Sequence, residues 1–205
     1  MSYFNGGSQG FVMMPPDRIS RFAQPWLRYI CIAGVSAASD ADELRHHGVT
    51  HVYTLMSAND PDLVRLLRRL AIPQRFTRVD DEERVDIIAV ARRLYPQMER
   101  DRRSRPDACI LVHCRAGWSR SASTLLYHLM RSWRMPLRHA WRMPLRHAWR
   151  LLKEARPVAD PNNGFRAQLH RWDQQQQEMR YLCGLEAAYR LDQRGYTKPR
   201  YEASL

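Results

Sequence analysis

LVHCRAGWSRSAS, Leu111 to Ser123, puts a cysteine at the end of an apolar run and an arginine at the start of a helical one. The preceding ACILVHC (108–114) is continuously apolar and reads as a strand buried on both faces. The following SRSASTLLYHLMRSW (119–133) has helical spacing. A strand, a Cys-x5-Arg loop and a helix together make a holder for a tetrahedral oxyanion. Backbone N–H groups of Arg115, Ala116, Gly117, Trp118, Ser119 and Arg120 can curl around the anion, and the helix N-terminus adds its positive dipole end. Gly117 permits the tight curvature. Arg120 can fork two anion oxygens. The same positive surroundings favour a thiolate, so Cys114 reads as a nucleophile, whereas Cys109 reads as a buried core thiol. The spacing of five between the two cysteines predicts that they face opposite sides of the strand.

Outward from this stretch the chain alternates strands and helices. WLRYICIAGVSAAS reads as a strand running into a loop, and DADELRHHG as a short helix with Asp40 at its N-cap and Gly48 at its end. VTHVYTLM is a β-branched, aromatic strand. DPDLVRLLRRLAI is an amphipathic helix with Leu63, Leu66, Leu67 and Leu70 on one face. RFTRV is a short strand, followed directly by the acidic DDEER. VDIIAVARRLYPQMERD is a helix that Pro96 should kink or interrupt. PLRHAWRLLKEARP and the long NGFRAQLHRWDQQQQEMRYLCGLEAAYRLDQRG are helical, with Gly184 a weak point and Gly195 a stop in the second. The expected fold is α/β: a central, mostly parallel sheet flanked by helices, with the Cys-x5-Arg loop between a central strand and a helix. Residues 1–18 read as a flexible lead-in, 19–194 as the domain that carries the Cys-x5-Arg loop and 195–205 as a tail.

The octapeptide RMPLRHAW at 134–141 is repeated unchanged at 142–149. Eight residues are too few for a solenoid repeat, so this is read as a tandem duplication inside a helix-to-helix connection. Pro144 then takes the first-turn position of the next helix, and Pro136 forces the first copy to loop out or form an extra turn.

The 205 residues, 44% of them hydrophobic, suffice for one domain with a proper core. Neither a secretory leader nor an apolar run long enough to span a membrane is visible. The four cysteines, Cys31, Cys109, Cys114 and Cys183, lack metal-ligand spacing and a disulfide pattern, so no metal and a reducing compartment are expected. The formal net charge is +12, and no acidic residue occurs from Ala108 to Lys153. Such a field draws phosphoesters, acidic protein segments, nucleic acid or acidic lipid. A solvated arginine-rich surface is the plainer account of the charges outside the loop.

HCRAGWSRSAS resembles the signature HCxAGxSRSxS of the dual-specificity protein phosphatases, within the cysteine-based protein tyrosine phosphatase superfamily. YICIAGVSAASDADELRHHGVTHVYTL resembles the family's opening strand-helix-strand, with Thr54 where asparagine is usual. ARPVADPNNGFRAQL resembles its RP…PNxGFxxQL segment, and the likeness extends over roughly residues 19–177. The resemblance implies phosphomonoester hydrolysis through a phosphocysteine, without cofactor. It also implies an acidic residue for the leaving oxygen, and in RFTRVDDEERVDI the pattern fits Asp81 better than Asp80. By position His113 would orient the loop and Ser121 would donate to the departing sulfur. Asn162, or its neighbour Asn163, would brace the loop. Trp118 departs from the small aliphatic residue common in the family and could narrow the pocket or stack on an aromatic substrate.

The expected substrate is a phosphoprotein, with a MAP kinase open through an acidic docking region, in cytoplasm or nucleus. Two other readings stand beside it. RNA 5′-triphosphate suits the charge, but such relatives read HCTHGxNRTG, and phosphoinositide relatives carry Lys where Arg115 and Trp118 stand. A phosphopeptide-binding module without turnover is the third.

Overall fold

The computed structural model describes residues 17–132 and 143–193. Five strands, β1 (Ser20–Arg21), β2 (Ile30–Ala33), β3 (His51–Met56), β4 (Gln74–Arg78) and β5 (Ile110–His113), form one sheet in the order β1-β2-β5-β3-β4. Short β1 runs antiparallel to β2; every other pairing is parallel. Parallel neighbours need crossovers, and the helices supply them. The apolar run that opens on Cys109 becomes the middle strand because every residue of β5 is buried, and only a central strand has cover on both faces.

Alternation along the strands divides the core in two. Cys31, Ala33, Cys109 and Leu111 face α1 (Val35–Ala38), α2 (Ala41–His46) and α3 (Pro61–Arg69). Ile30, Ile32, Ile110, Val112 and Cys114 face α4 (Ile87–Arg103), α5 (Arg120–Ser132), α6 (Leu145–Ala155) and α7 (Asn163–Gln193). Cys109 and Cys114 therefore lie on opposite faces, as their spacing predicts, and the neighbour of Cys109 is Cys31, with sulfurs 3.8 Å apart. Asp40 and Asp60 cap α2 and α3 by accepting the N–H groups of Asp42 and Glu43, and of Asp62 and Leu63.

Four details differ from the sequence expectations. Val35–Ala38 forms a short helix instead of a loop, because the carboxylate of Asp17 accepts the N–H groups of Gly34 and Ala37. Asp17, within the expected lead-in of residues 1–18, thus bonds to the folded unit. Pro96 does not interrupt α4; it lies on the exposed side, where the carbonyl that loses its amide partner meets water. Pro144 is the N-cap of α6, one place before the first turn. Gly184 sits within α7 without ending it, while Gly195 and the first repeat copy lie outside the described residues.

Candidate active site

The C-terminal ends of β2, β5 and β3 come together at Ala33, His113 and Thr54. Chain order reverses here, since β5 inserts between strands formed earlier, and such a point leaves a crevice beyond the strand ends. Cys114 leaves β5 into this crevice, 1% exposed, and the chain turns through Arg115–Ser119 before α5 begins at Arg120.

The turn works because of Gly117. Its φ is +70°, and a Cβ there would lie 2.5 Å from the carbonyl oxygen of Ala33. Outside the turn, the buried Arg156 guanidinium donates to the carbonyls of Ala116 (2.9 Å) and Gly117 (3.0 Å) and to the Asp17 carboxylate (2.8 Å). Further bonds reach the Arg18 carbonyl and the Ser20 hydroxyl. Holding two loop carbonyls outward frees the loop's N–H groups to face inward.

A cleft of about 500 Å³ opens over the turn, lined by Asp81, Glu83, Cys114, Arg115, Trp118, Arg120, Asn162 and Arg166 among others. Inside it the Ser121 hydroxyl donates to the Cys114 sulfur at 3.2 Å. Arg120 is 7% exposed and donates to the Val79 carbonyl at 3.2 Å. Its Nε has no hydrogen-bond partner and lies 3.6 Å from Asp81, so a buried donor is left for an anion. Asp81 Oδ1 accepts from the Ser119 hydroxyl at 2.5 Å and from the Asn162 amide at 2.8 Å. Asp80 contributes nothing to the cleft lining. Trp118 is 38% exposed at the rim, so its indole forms a wall without closing the cleft.

Of the residues singled out in the sequence, Asp81, Cys114, Arg115, Ala116, Trp118, Ser119, Arg120, Asn162 and Asn163 line the cleft, while Ser121 and His113 bond to Cys114 beneath it. His113 is fully buried, and desolvation pushes its pKa down to about 4, so the ring is neutral at physiological pH. It sits 2.8 Å from the Thr54 hydroxyl and 3.3 Å from the Cys114 carbonyl. Asn162 also accepts the N–H of Phe165 as the opening bond of α7, whereas Asn163 is exposed in the first turn.

Sequence reasoning missed the outer supports. Arg156, Gly164 and Gln168 all lie in the ARPVADPNNGFRAQL segment, yet no local pattern says what they touch. Gln168 accepts the N–H of Ile87 and donates to the carbonyls of Glu83 and Val85, strapping the acidic loop to α7. A Cβ on Gly164 would lie 2.2 Å from the Glu83 carbonyl oxygen, so only glycine admits this approach.

The arrangement gathers a buried sulfur, a buried guanidinium and a doubly hydrogen-bonded carboxyl group on one cleft. Among the described residues no helix is long and apolar enough to cross a membrane. Residues 30–175 match the family model "Dual specificity phosphatase, catalytic domain". A probable dual specificity protein phosphatase of Dictyostelium discoideum is 30% identical over 171 residues, covering 82% of this chain and 71% of that protein. Human Slingshot homolog 3, a protein phosphatase, is 32% identical over 136 residues, covering 64% of this chain and 18% of that much longer protein. The crystal structure of human DUSP28 superposes with a TM-score of 0.61 at 26% identity, covering 80% of this chain and 97% of that one. With the site's geometry, these likenesses establish that the chain belongs to the dual specificity phosphatases and is a protein phosphatase of the cysteine-based superfamily.

Proposed function

We propose that the chain hydrolyses phosphotyrosine and phosphoserine or phosphothreonine esters in proteins through a phosphocysteine on Cys114. The phosphate would enter the cleft, accept the loop N–H groups and pair with Arg120, whose Nε faces Asp81 at 3.6 Å without a hydrogen bond. The Cys114 thiolate then forms the S–P bond while the P–O bond to the substrate breaks, and Asp81 gives its proton to the departing oxygen. In the second step Asp81 takes a proton from water as that water attacks phosphorus. Ser121 donates to the sulfur as negative charge returns to it.

The observation that carries this reading is the position of Asp81. Two bonds, from Ser119 and Asn162, hold its carboxyl group over the same cleft that contains Cys114 and Arg120. A bare anion-binding loop for capturing phosphopeptides has no need of a fixed proton donor. The exposed indole of Trp118 suits a flat aromatic leaving group at the rim.

The test is phosphate release by wild type and Cys114→Ser, comparing a doubly phosphorylated Thr/Tyr peptide with a 5′-triphosphorylated RNA. Release from the peptide that vanishes in the variant is expected. Release mainly from RNA would move the substrate to nucleic acid, and peptide binding without turnover would make the chain a phosphopeptide-binding module. A MAP kinase substrate is tested by the same assay on the phosphorylated kinase.

A further inference from the structure

Behind the loop, a row of polar side chains leads from His113 toward the surface. His113 is neutral, so one ring nitrogen carries a proton and the other does not. Which one decides whether Nδ1 can donate to the Cys114 carbonyl. The row answers this by a chain of polarities that starts at a backbone amide.

The N–H of Asp60 donates to Asn59 Oδ1 at 3.1 Å. A backbone amide only donates, so this atom is oxygen and the other side-chain atom of Asn59 is its nitrogen. That nitrogen faces Gln74 Oε1 at 3.3 Å, which orients the Gln74 amide in turn. The two protons of Gln74 Nε2 then go to Asn59 Oδ1 at 3.0 Å and to Thr54 Oγ1 at 2.7 Å. With its oxygen accepting from Gln74, Thr54 has its own proton left for His113 Nε2, 2.8 Å away. Alone, a threonine hydroxyl donates or accepts equally well and selects no tautomer.

We propose that Asn59, Gln74 and Thr54 are positioning residues that fix His113 with its proton on Nδ1, from where it holds the Cys114 carbonyl outside the anion loop. The assignment of a catalytic consequence rests on Cys114 being the nucleophile; the tautomer does not. Asn59 and Gln74 are half-buried and neither lines the cleft. Their effect passes through Thr54, which is fully buried.

Long-range proton–nitrogen NMR of the 15N-labelled His113 ring tests this directly. Wild type is expected to show a protonated Nδ1 and a bare Nε2. Gln74→Glu replaces the donor by an acceptor that takes the Thr54 proton, and Nε2 should then become protonated. In the same variant kcat/KM toward p-nitrophenyl phosphate should fall about tenfold, the order expected for one misdirected hydrogen bond. Should Gln74→Glu fail to fold, Thr54→Ser is expected to keep the wild-type tautomer and Thr54→Val to lose its bias. A protonated Nε2 in wild type, or ring shifts indifferent to both Gln74→Glu and Thr54→Val, overturns the proposal. A chain inert toward every phosphoester but with the expected ring shifts would refute the phosphatase mechanism and leave the relay standing.

Discussion

The Ser121 hydroxyl donates to the Cys114 sulfur from the first turn of α5, 3.2 Å away and sealed from water. Its geometry favours charge on sulfur, which matters most when sulfur is the leaving group. Ser121→Ala should therefore slow breakdown of the phosphoenzyme more than its formation. Removing one such donor costs on the order of 10²-fold. Rapid-quench measurement with p-nitrophenyl phosphate should show a burst of one equivalent followed by slow turnover. A loss spread equally over both steps would contradict this role.

Asp81 is held by Asn162, and Asn162 is held by the start of α7. Asp81→Asn should lower kcat for a phosphopeptide by roughly 10²–10⁴-fold, the range for general acid catalysis. The loss should shrink for substrates whose leaving group needs no proton. Asn162→Ala should show a smaller loss with the same dependence on the leaving group. Steady-state rates across a series of aryl phosphates would measure both.

Arg156 joins the loop to Asp17, its partner 139 positions away in sequence. Arg156→Ala removes one donor from two loop carbonyls and from the Asp17 carboxylate, which keeps the N–H groups of Gly34 and Ala37, a loss on the order of 3 kcal/mol. For a chain of this size that lowers Tm by about 10 °C. Calorimetry should show this fall, and inorganic phosphate should protect the variant less than wild type.

His113 and His128 are both buried, and desolvation pushes each down to about 4. In the unfolded chain a histidine titrates near 6.5, so between about 6.5 and 4 the unfolded state binds more protons. Stability from these two groups is complete above about pH 6.5, declines as pH falls and is fully lost below about 4. The slope is on the order of 1 kcal/mol per pH unit for each histidine. Urea midpoints measured from pH 7.5 to 5 should follow that decline, and His128→Gln should flatten it.

Sequence legibility follows the distance over which a residue acts. The strand, loop and helix from Ala108 to Ser132 are contiguous, so chemistry, burial and geometry speak through one short pattern. Asp81 is readable only because a family pattern fixes its place relative to Val79 and Ile87. The shape of α1 depends on Asp17 from a stretch without periodicity, and no local rule finds that partner. Gln74 looks like an ordinary residue of an edge strand until the sheet brings it beside Thr54.

The start of α7 touches both sides of the cleft: Asn162 and Gln168 reach the acidic loop, and the backbone N–H of Asn162 donates to the Ser119 hydroxyl of the Cys-x5-Arg loop at 3.1 Å. One segment thus bonds to both Asp81 and the Cys-x5-Arg loop and serves as a gauge for the spacing between them. The second copy of RMPLRHAW supplies the opening of α6 from Leu145, so it belongs to the helical layer and not to the segment that holds Asp81 and Ser119.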